Sequence, residues 1–252
     1  MNLVFASGVL VPQHLLGRDY FRGIGAAFPG ALFPEVPVTA SVEARADAMA
    51  AQIDATFPTG PIHIVAHSMG GLDARRLLSR NLRGLAAPGR VASLSTISSP
   101  HRGSPIADLL VGPNPDGPGP RQSAYAILRR TFDAFGVTIE ALGALTSGST
   151  AAFNKAHADV AHVRYLSYAG DRADSLVLTP AHYYIESVGQ SEDERANDGV
   201  VSLASAKWGE VIMPWWPTDH LGELGHNVGV LPTQQSPFDN IAAFRDVVAR
   251  VS

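Results

Sequence analysis

Ile62-His63-Ile64-Val65-Ala66-His67-Ser68-Met69-Gly70-Gly71 is the stretch on which the fold turns. Residues 62–65 are rich in β-branched residues and read as a buried strand, with His63 a structural member of it. Leu72 to Leu82 reads as the helix that follows, with Leu85 after it and Pro88-Gly89 as the stop. Between strand and helix lies small-x-Ser-x-Gly. A serine on such a sharp turn sits at strained φ/ψ with its Oγ presented. Small residues two before and two after it let strand and helix approach closely. The helix also aims its N-terminal N–H groups at that point. The usual first residue is Gly, and Ala66 keeps the steric requirement. Ser68 is therefore a candidate nucleophile.

Outward from this turn, strands and helices alternate. Leu3 to Ala6 reads as a strand ending in a Gly turn. Val42 to Thr56 carries Val42, Ala46, Met49 and Ile53 on one helical face, and Val91 to Ile97 is the next strand. That rhythm predicts an α/β chain with a parallel sheet and right-handed crossovers. It breaks at Gly112 to Pro120, a Pro- and Gly-rich run that is neither helix nor central strand. Tyr125, Leu128, Phe132 and Phe135 then form an apolar helical stripe, extended by Ile139, Leu142 and Leu145. Residues 108–150 thus read as an insertion between two sheet strands, either a helical pair packed on the core or a lid over an apolar site. Val163 to Tyr168 resumes the sheet, 171–198 reads as irregular, 211–213 is a short apolar run, and Phe238 to Val251 is a closing amphipathic helix.

Composition narrows the classes. The 252 residues are 46% hydrophobic and 17% charged, which fits one globular domain over 1–252 and not disorder. Net charge is −4 with no basic stripe, so nucleic acid is excluded as a partner. Without cysteine there is no disulfide, thiolate metal site or Cys nucleophile. No apolar run reaches the ~20 residues of a transmembrane span. Met1 to Leu10 lacks the basic start of a signal peptide, and Pro12 and His14 interrupt it, so Leu3 to Ala6 is read as strand and no compartment is assigned.

A nucleophilic serine needs a base, and the base an orienting acid. His182, His220 and His226 follow Ser68 at suitable distance, with Asp171, Asp174, Asp193 and Asp198 among the intervening acids. Spacing alone leaves these open. His220, Glu223 and His226 recur at three-residue intervals but do not match H-E-x-x-H, and no metal or cofactor is expected.

Several motifs in order resemble the bacterial true lipases of the Pseudomonas and Burkholderia type, members of the α/β-hydrolase superfamily. Val65 to Arg75 resembles their nucleophile elbow. Thr96-Ile97-Ser98-Ser99-Pro100-His101-Arg102-Gly103-Ser104 with Ala107-Asp108 resembles their T-I-x-(S/T)-P-H-R-G-(S/T) loop, and Ala151-Ala152-Phe153-Asn154 the segment after their lid. Asn197-Asp198-Gly199-Val200-Val201-Ser202 resembles their acid motif and Asp219-His220-Leu221 their histidine motif. The match covers about 62–111 and 146–226. It implies an α/β-hydrolase fold, with a mostly parallel sheet, helices on both faces and a lid-like insertion. It also implies a triad of Ser68, Asp198 and His220, with Asp171 as runner-up acid. The oxyanion donors it implies are the N–H groups of Met69 and of Val9, with Leu10 as alternative. The family's His in that loop is replaced by Ser7 of Ser7-Gly8-Val9.

The family's structural calcium is not carried over, because Gly222 and Thr179-Pro180 stand where its carboxylates belong. The cysteine pair is missing and the chain is shorter than most members, so dependence on a foldase partner is not carried over either. His101 is expected to be structural, Asp73 to pair with a cation or cap backbone N–H groups, and Trp215 and Trp216 to pack. The resemblance implies an acyl-ester hydrolase, with small-molecule or lipid esters as substrates and contact with a lipid interface within its scope. A polyester depolymerase, an acyltransferase and a catalytically silent binding protein are the alternatives on the same fold.

Overall fold

A computed structural model describes residues 1–9, 20–113, 115, 120–134, 136–227 and 238–252. Leu10 and Phe135 lie outside the described residues, as do Pro12, His14 and part of the Pro- and Gly-rich run. The order is β1 (Asn2–Ala6), α1 (Ile24–Ala27), α2 (Val42–Thr56), β2 (Ile62–His67), α3 (Gly70–Ser79), β3 (Val91–Ile97), α4 (Pro105–Val111), α5 (Pro120–Ala134), α6 (Ile139–Gly143), α7 (Ser147–Ala156), β4 (Arg164–Tyr168), α8 (Thr179–Val188), α9 (Glu192–Arg195), α10 (Leu203–Ala206), β5 (Glu210–Val211) and α11 (Asn240–Ala249). Among the described residues the strands form one parallel sheet in the order β1-β2-β3-β4-β5.

Strand side chains alternate between faces. Val4, Ala6, Ile64 and Ala66 pack against Ala46, Met49 and Ile53 of α2 and Ala74 and Leu77 of α3. Leu3, Phe5, Val65 and Ile97 pack against Ile24 of α1 and Phe244 and Val247 of α11. Helices therefore cover both faces. The cause is a reversal at β1. After α1 the chain returns beside β1, where Leu32 N–H donates to Leu3 O and Phe5 N–H to Leu32 O, both at 2.8 Å. It then crosses back through α2 to β2 on the other side. Right-handed crossovers running in opposite directions place their helices on opposite faces, and the reversal opens a crevice at the carboxyl ends of β1 and β2. That is where Gly8 and Ser68 lie.

Some boundaries differ from the sequence reading. Gly70 and Gly71 already form the first turn of α3, which ends at Ser79 because Asn81 turns left-handed at φ 47°. Residues 171–198 are not irregular throughout. Pro180 stands in the first turn of α8, where its missing N–H leaves no bond unmade. Ala181 and Ile185 bury one face of that helix. Ser191 and Glu194 close a capping box that starts α9. The insertion holds a helical pair, α5 and α6, between α4 and α7, and Leu128, Phe132, Leu142 and Leu145 pack onto Ile106 and Leu110. Its return is tied by Asp108, whose two oxygens accept from Ser147 N–H at 2.9 Å and Ser147 Oγ at 2.6 Å.

Candidate active site

Ser68 leaves β2 at φ 56° and is 1% exposed. This left-handed conformation is strained for a serine. Its N–H donates to Ile97 O at 2.9 Å, one rung beyond the strand pairing. The same step recurs on the next strand, where Ser98, at φ 43°, donates its N–H to Tyr168 O at 2.9 Å. The glycines after Ser68 explain the motif. A Cβ on Gly70 would lie 2.7 Å from Ala6 O and 2.9 Å from Ser7 O, and one on Gly71 would overlap the Ser99 side chain.

Asp198 and His220 meet as a fully buried pair. Asp198 Oδ2 lies 2.6 Å from His220 Nδ1, and His220 N–H donates to Asp198 O at 2.9 Å. Asp198 Oδ1 accepts from the N–H groups of Val200 (2.8 Å) and Val201 (2.7 Å). The turn that aims it requires Gly199 at φ 90°, where a Cβ would also come 2.8 Å from Leu178 Cβ. His220 Nε2 is buried and meets no hydrogen-bond partner among the described residues, Ser68 included. The imidazole packs 4.4 Å, centroid to centroid, from His67, the residue before Ser68. The structure thus joins the expected acid and base and stacks them beside the elbow, without a serine–histidine hydrogen bond in this state. Catalytic hydrogen bonds are often long before substrate arrives.

The other candidates go elsewhere. Asp171 is half-buried, its carboxyl raised by burial and drawn down in part by Arg172. His182 Nδ1 lies 3.2 Å from Asn197 O, and His226 Nε2 lies 2.9 Å from Tyr20 O. His63 Nδ1 lies 2.9 Å from Ser93 Oγ within the sheet. His101 is fully buried, 3.2 Å from Thr96 Oγ1, and its carbonyl accepts from Asn154 Nδ2. Burial, then Arg75 and Arg102, hold its imidazole well below the usual histidine range. Trp216 packs on Tyr168, Phe238 and Phe244.

Of the expected oxyanion donors, Met69 is fully buried at the start of α3 and Val9 is 2% exposed in the loop after β1. Arg45 supports that loop: its Nη2 donates to Ser7 O at 2.7 Å and its Nε to Asp73 Oδ2 at 2.8 Å. Asp73 thus finds the expected cation. Burial nevertheless pushes its carboxyl up to about 6, more than the guanidinium offsets. Val9 and Ser68 line a narrow apolar pocket of about 10 Å³ together with Phe132, Val137, Leu142 and Leu145 of the insertion.

One buried network has no local signature in the sequence. Glu223 Oε1 accepts from Ser98 Oγ at 2.5 Å and Gly170 N–H at 2.7 Å. Its Oε2 lies 2.9 Å from His67 Nε2 and 4.0 Å from His220 Nδ1. His67 Nδ1 lies 2.7 Å from the Tyr20 hydroxyl, which accepts Gly8 N–H at 2.8 Å. Burial, then Asp198, raise the Glu223 carboxyl well above the usual range. Burial, then His220 and His226, hold His67 well below its own. Both shifts run toward the neutral forms, the direction that burial of the two groups away from water imposes.

His67, His220 and Glu223 also form the one trio of acid or imidazole ligand atoms within 4.8 Å among the described residues. It replaces the His220, Glu223, His226 set considered from spacing. Where the resemblance would put calcium, the residues do not fit. Gly222 offers no side chain, and Asp219 is taken up by N–H donors, Oδ2 by Ser175 and Oδ1 by Leu221 and Gly222.

No family model matches the chain. A triacylglycerol lipase of Vibrio cholerae is 27% identical over 258 residues, covering 90% of this chain and 80% of that protein. A triacylglycerol lipase of Pseudomonas fragi is 29% identical over 267 residues, covering 86% and 87%. The chain is thus similar to bacterial triacylglycerol lipases along most of its length. The mature Bacillus licheniformis lipase BlEst2 has the same fold, with a TM-score of 0.70 at 18% identity over 100% of this chain and 91% of that one. A metagenomic carboxyl esterase gives 0.72 at 20% identity over 100% and 75%. The fold of this chain is that of an α/β-hydrolase.

Proposed function

We propose that the protein hydrolyses carboxylic esters through an acyl-enzyme on Ser68. The observation that carries this reading is the buried Asp198–His220 pair, 2.6 Å apart, with Nε2 unpartnered beside an elbow serine at φ 56°. Ser68 Oγ attacks the acyl carbonyl carbon and its proton passes to His220 Nε2. Asp198 holds the Nδ1–H and stabilises the imidazolium. The N–H groups of Met69 and Val9 receive the developing oxyanion, commonly the largest catalytic contribution. Collapse expels the alcohol with the proton from His220. Water then attacks the acyl carbon with the same imidazole as base, and the acid leaves. The apolar pocket shared by Ser68 and Val9 supports an apolar acyl group, and its insertion-built wall supports esters of lipid character. No described helix is long and apolar enough to cross a membrane.

The test is hydrolysis of p-nitrophenyl esters across acyl lengths, with Ser68→Ala and an EDTA series in parallel. Ser68→Ala is expected to lower kcat at least about a thousandfold with the fold intact, because removing a triad member leaves only the remaining machinery. EDTA leaves the rate unchanged. Full activity in Ser68→Ala would overturn the assignment.

A further inference from the structure

The Ser7–Gly8 peptide is gripped at both ends. Arg45 Nη2 holds Ser7 O at 2.7 Å, and Gly8 N–H donates to the Tyr20 hydroxyl at 2.8 Å. A trans peptide is planar, so fixing its oxygen and its hydrogen fixes the orientation of the unit. The next N–H along the chain is that of Val9. Gly8 itself sits against the nucleophile, since a Cβ there would fall 2.6 Å from Ser68 Cβ and 2.9 Å from Tyr20 OH.

Tyr20 is built for that grip. It is buried, its carbonyl faces His226 Nε2 at 2.9 Å, and its ring stands edge-on to Phe21 at 4.9 Å. Its hydroxyl lies 2.7 Å from His67 Nδ1, and in either tautomer of His67 the phenolic oxygen can accept Gly8 N–H. His67 is in turn tied to Glu223 in the loop that carries His220.

We propose that Tyr20 is a positioning residue of the oxyanion hole: its hydroxyl, aligned by His67, takes Gly8 N–H and thereby sets the direction of Val9 N–H. The inference rests on the Ser68 hydrolase reading. The loop that receives the anion and the loop that carries the base are then joined by one chain of side chains running through the residue before the nucleophile. Without the hydroxyl, Gly8 N–H is buried with no acceptor, and the peptide turns to find one. Val9 N–H turns with it. An oxyanion contact is strongest in the transition state, so the loss falls on kcat and not on KM.

The experiment compares the native chain with Tyr20→Phe, in steady-state hydrolysis of p-nitrophenyl butyrate and in the rate of Ser68 phosphonylation by a p-nitrophenyl alkylphosphonate. Kcat and the phosphonylation rate are expected to fall together by about 10- to 100-fold, with KM within about twofold. An unchanged phosphonylation rate, or a loss confined to KM, overturns the proposal. If Tyr20→Phe does not fold, 3-fluorotyrosine at position 20 keeps the ring and weakens the hydroxyl as acceptor. The Gly8 amide proton resonance then moves upfield, and an unmoved resonance overturns the proposal. A native protein that the phosphonate never labels at Ser68 overturns the hydrolase reading, and this inference with it.

Discussion

Gly70 and Gly71 stand side by side, yet they answer to different neighbours. A methyl on Gly70 would press on the carbonyl oxygens of Ala6 and Ser7, which cannot move without breaking the end of β1. A methyl on Gly71 would press on the Ser99 side chain. Gly70→Ala is therefore expected to destabilise by ~3 kcal/mol or more, and Gly71→Ala by ~1–3 kcal/mol. Adding Ser99→Gly to Gly71→Ala should recover part of that loss but do nothing for Gly70→Ala. Urea unfolding of the four variants checks this, and equal losses at the two glycines would contradict it. The need for a small residue after Ser68 was legible in the sequence, because the elbow motif is contiguous even though the atoms that enforce it are not. The roles of Tyr20, His67 and Glu223 were not. Glu223 meets His67 across 156 positions and Tyr20 meets His67 across 47, and no spacing rule reaches that far.

At the level of elements, β3 and α2 were readable to the residue, α2 because Val42, Ala46, Met49 and Ile53 fall on one helical face and β3 because the strand–helix rhythm leaves it one place. α8 was not, because Pro180 marks a first helical turn as readily as a loop. The joint between α3 and α7 shows what holds the segment after the insertion. Arg75 of α3 donates to Asn154 Oδ1 at 2.8 Å and His157 O at 3.2 Å, and its guanidinium lies 3.6 Å over the Trp208 ring. Burial draws its pKa down to about 10. A lysine would keep the charge but lose the fork and the stacking. Arg75→Lys should lower Tm by ~3–8 °C in a calorimetric scan, about what a loss of 1–3 kcal/mol gives at this chain length. An unchanged Tm would show that the joint carries no load.

For the whole molecule, the raised Glu223 carboxyl makes stability depend on pH in a definite sense. The unfolded carboxyl ionises near 4.5, while the folded one keeps its proton to well above that. Its contribution is complete below 4.5 and is lost as pH rises through the folded value. Glutamine resembles the protonated acid, with its oxygen able to accept from Ser98 and Gly170. Glu223→Gln should match the native protein near pH 4.5 and gain on it as pH rises, by up to ~1.4 kcal/mol per pH unit until the folded carboxyl ionises. Urea titrations at pH 5 and pH 8 measure this, and a difference that stays constant between them would refute it. A last consequence follows from the rungs beyond the strand ends. Ser68 N–H reaches Ile97 O, Ser98 N–H reaches Tyr168 O, and Gly170 N–H reaches Glu223. The turns that carry Ser68 and Ser98 thereby extend the sheet by a row, and the Glu223 side chain ties Gly170 to it. Such a row does not fray one loop at a time. Loss of the Ser68 turn and melting of the carboxyl edge of the sheet are then expected to fall together in one transition.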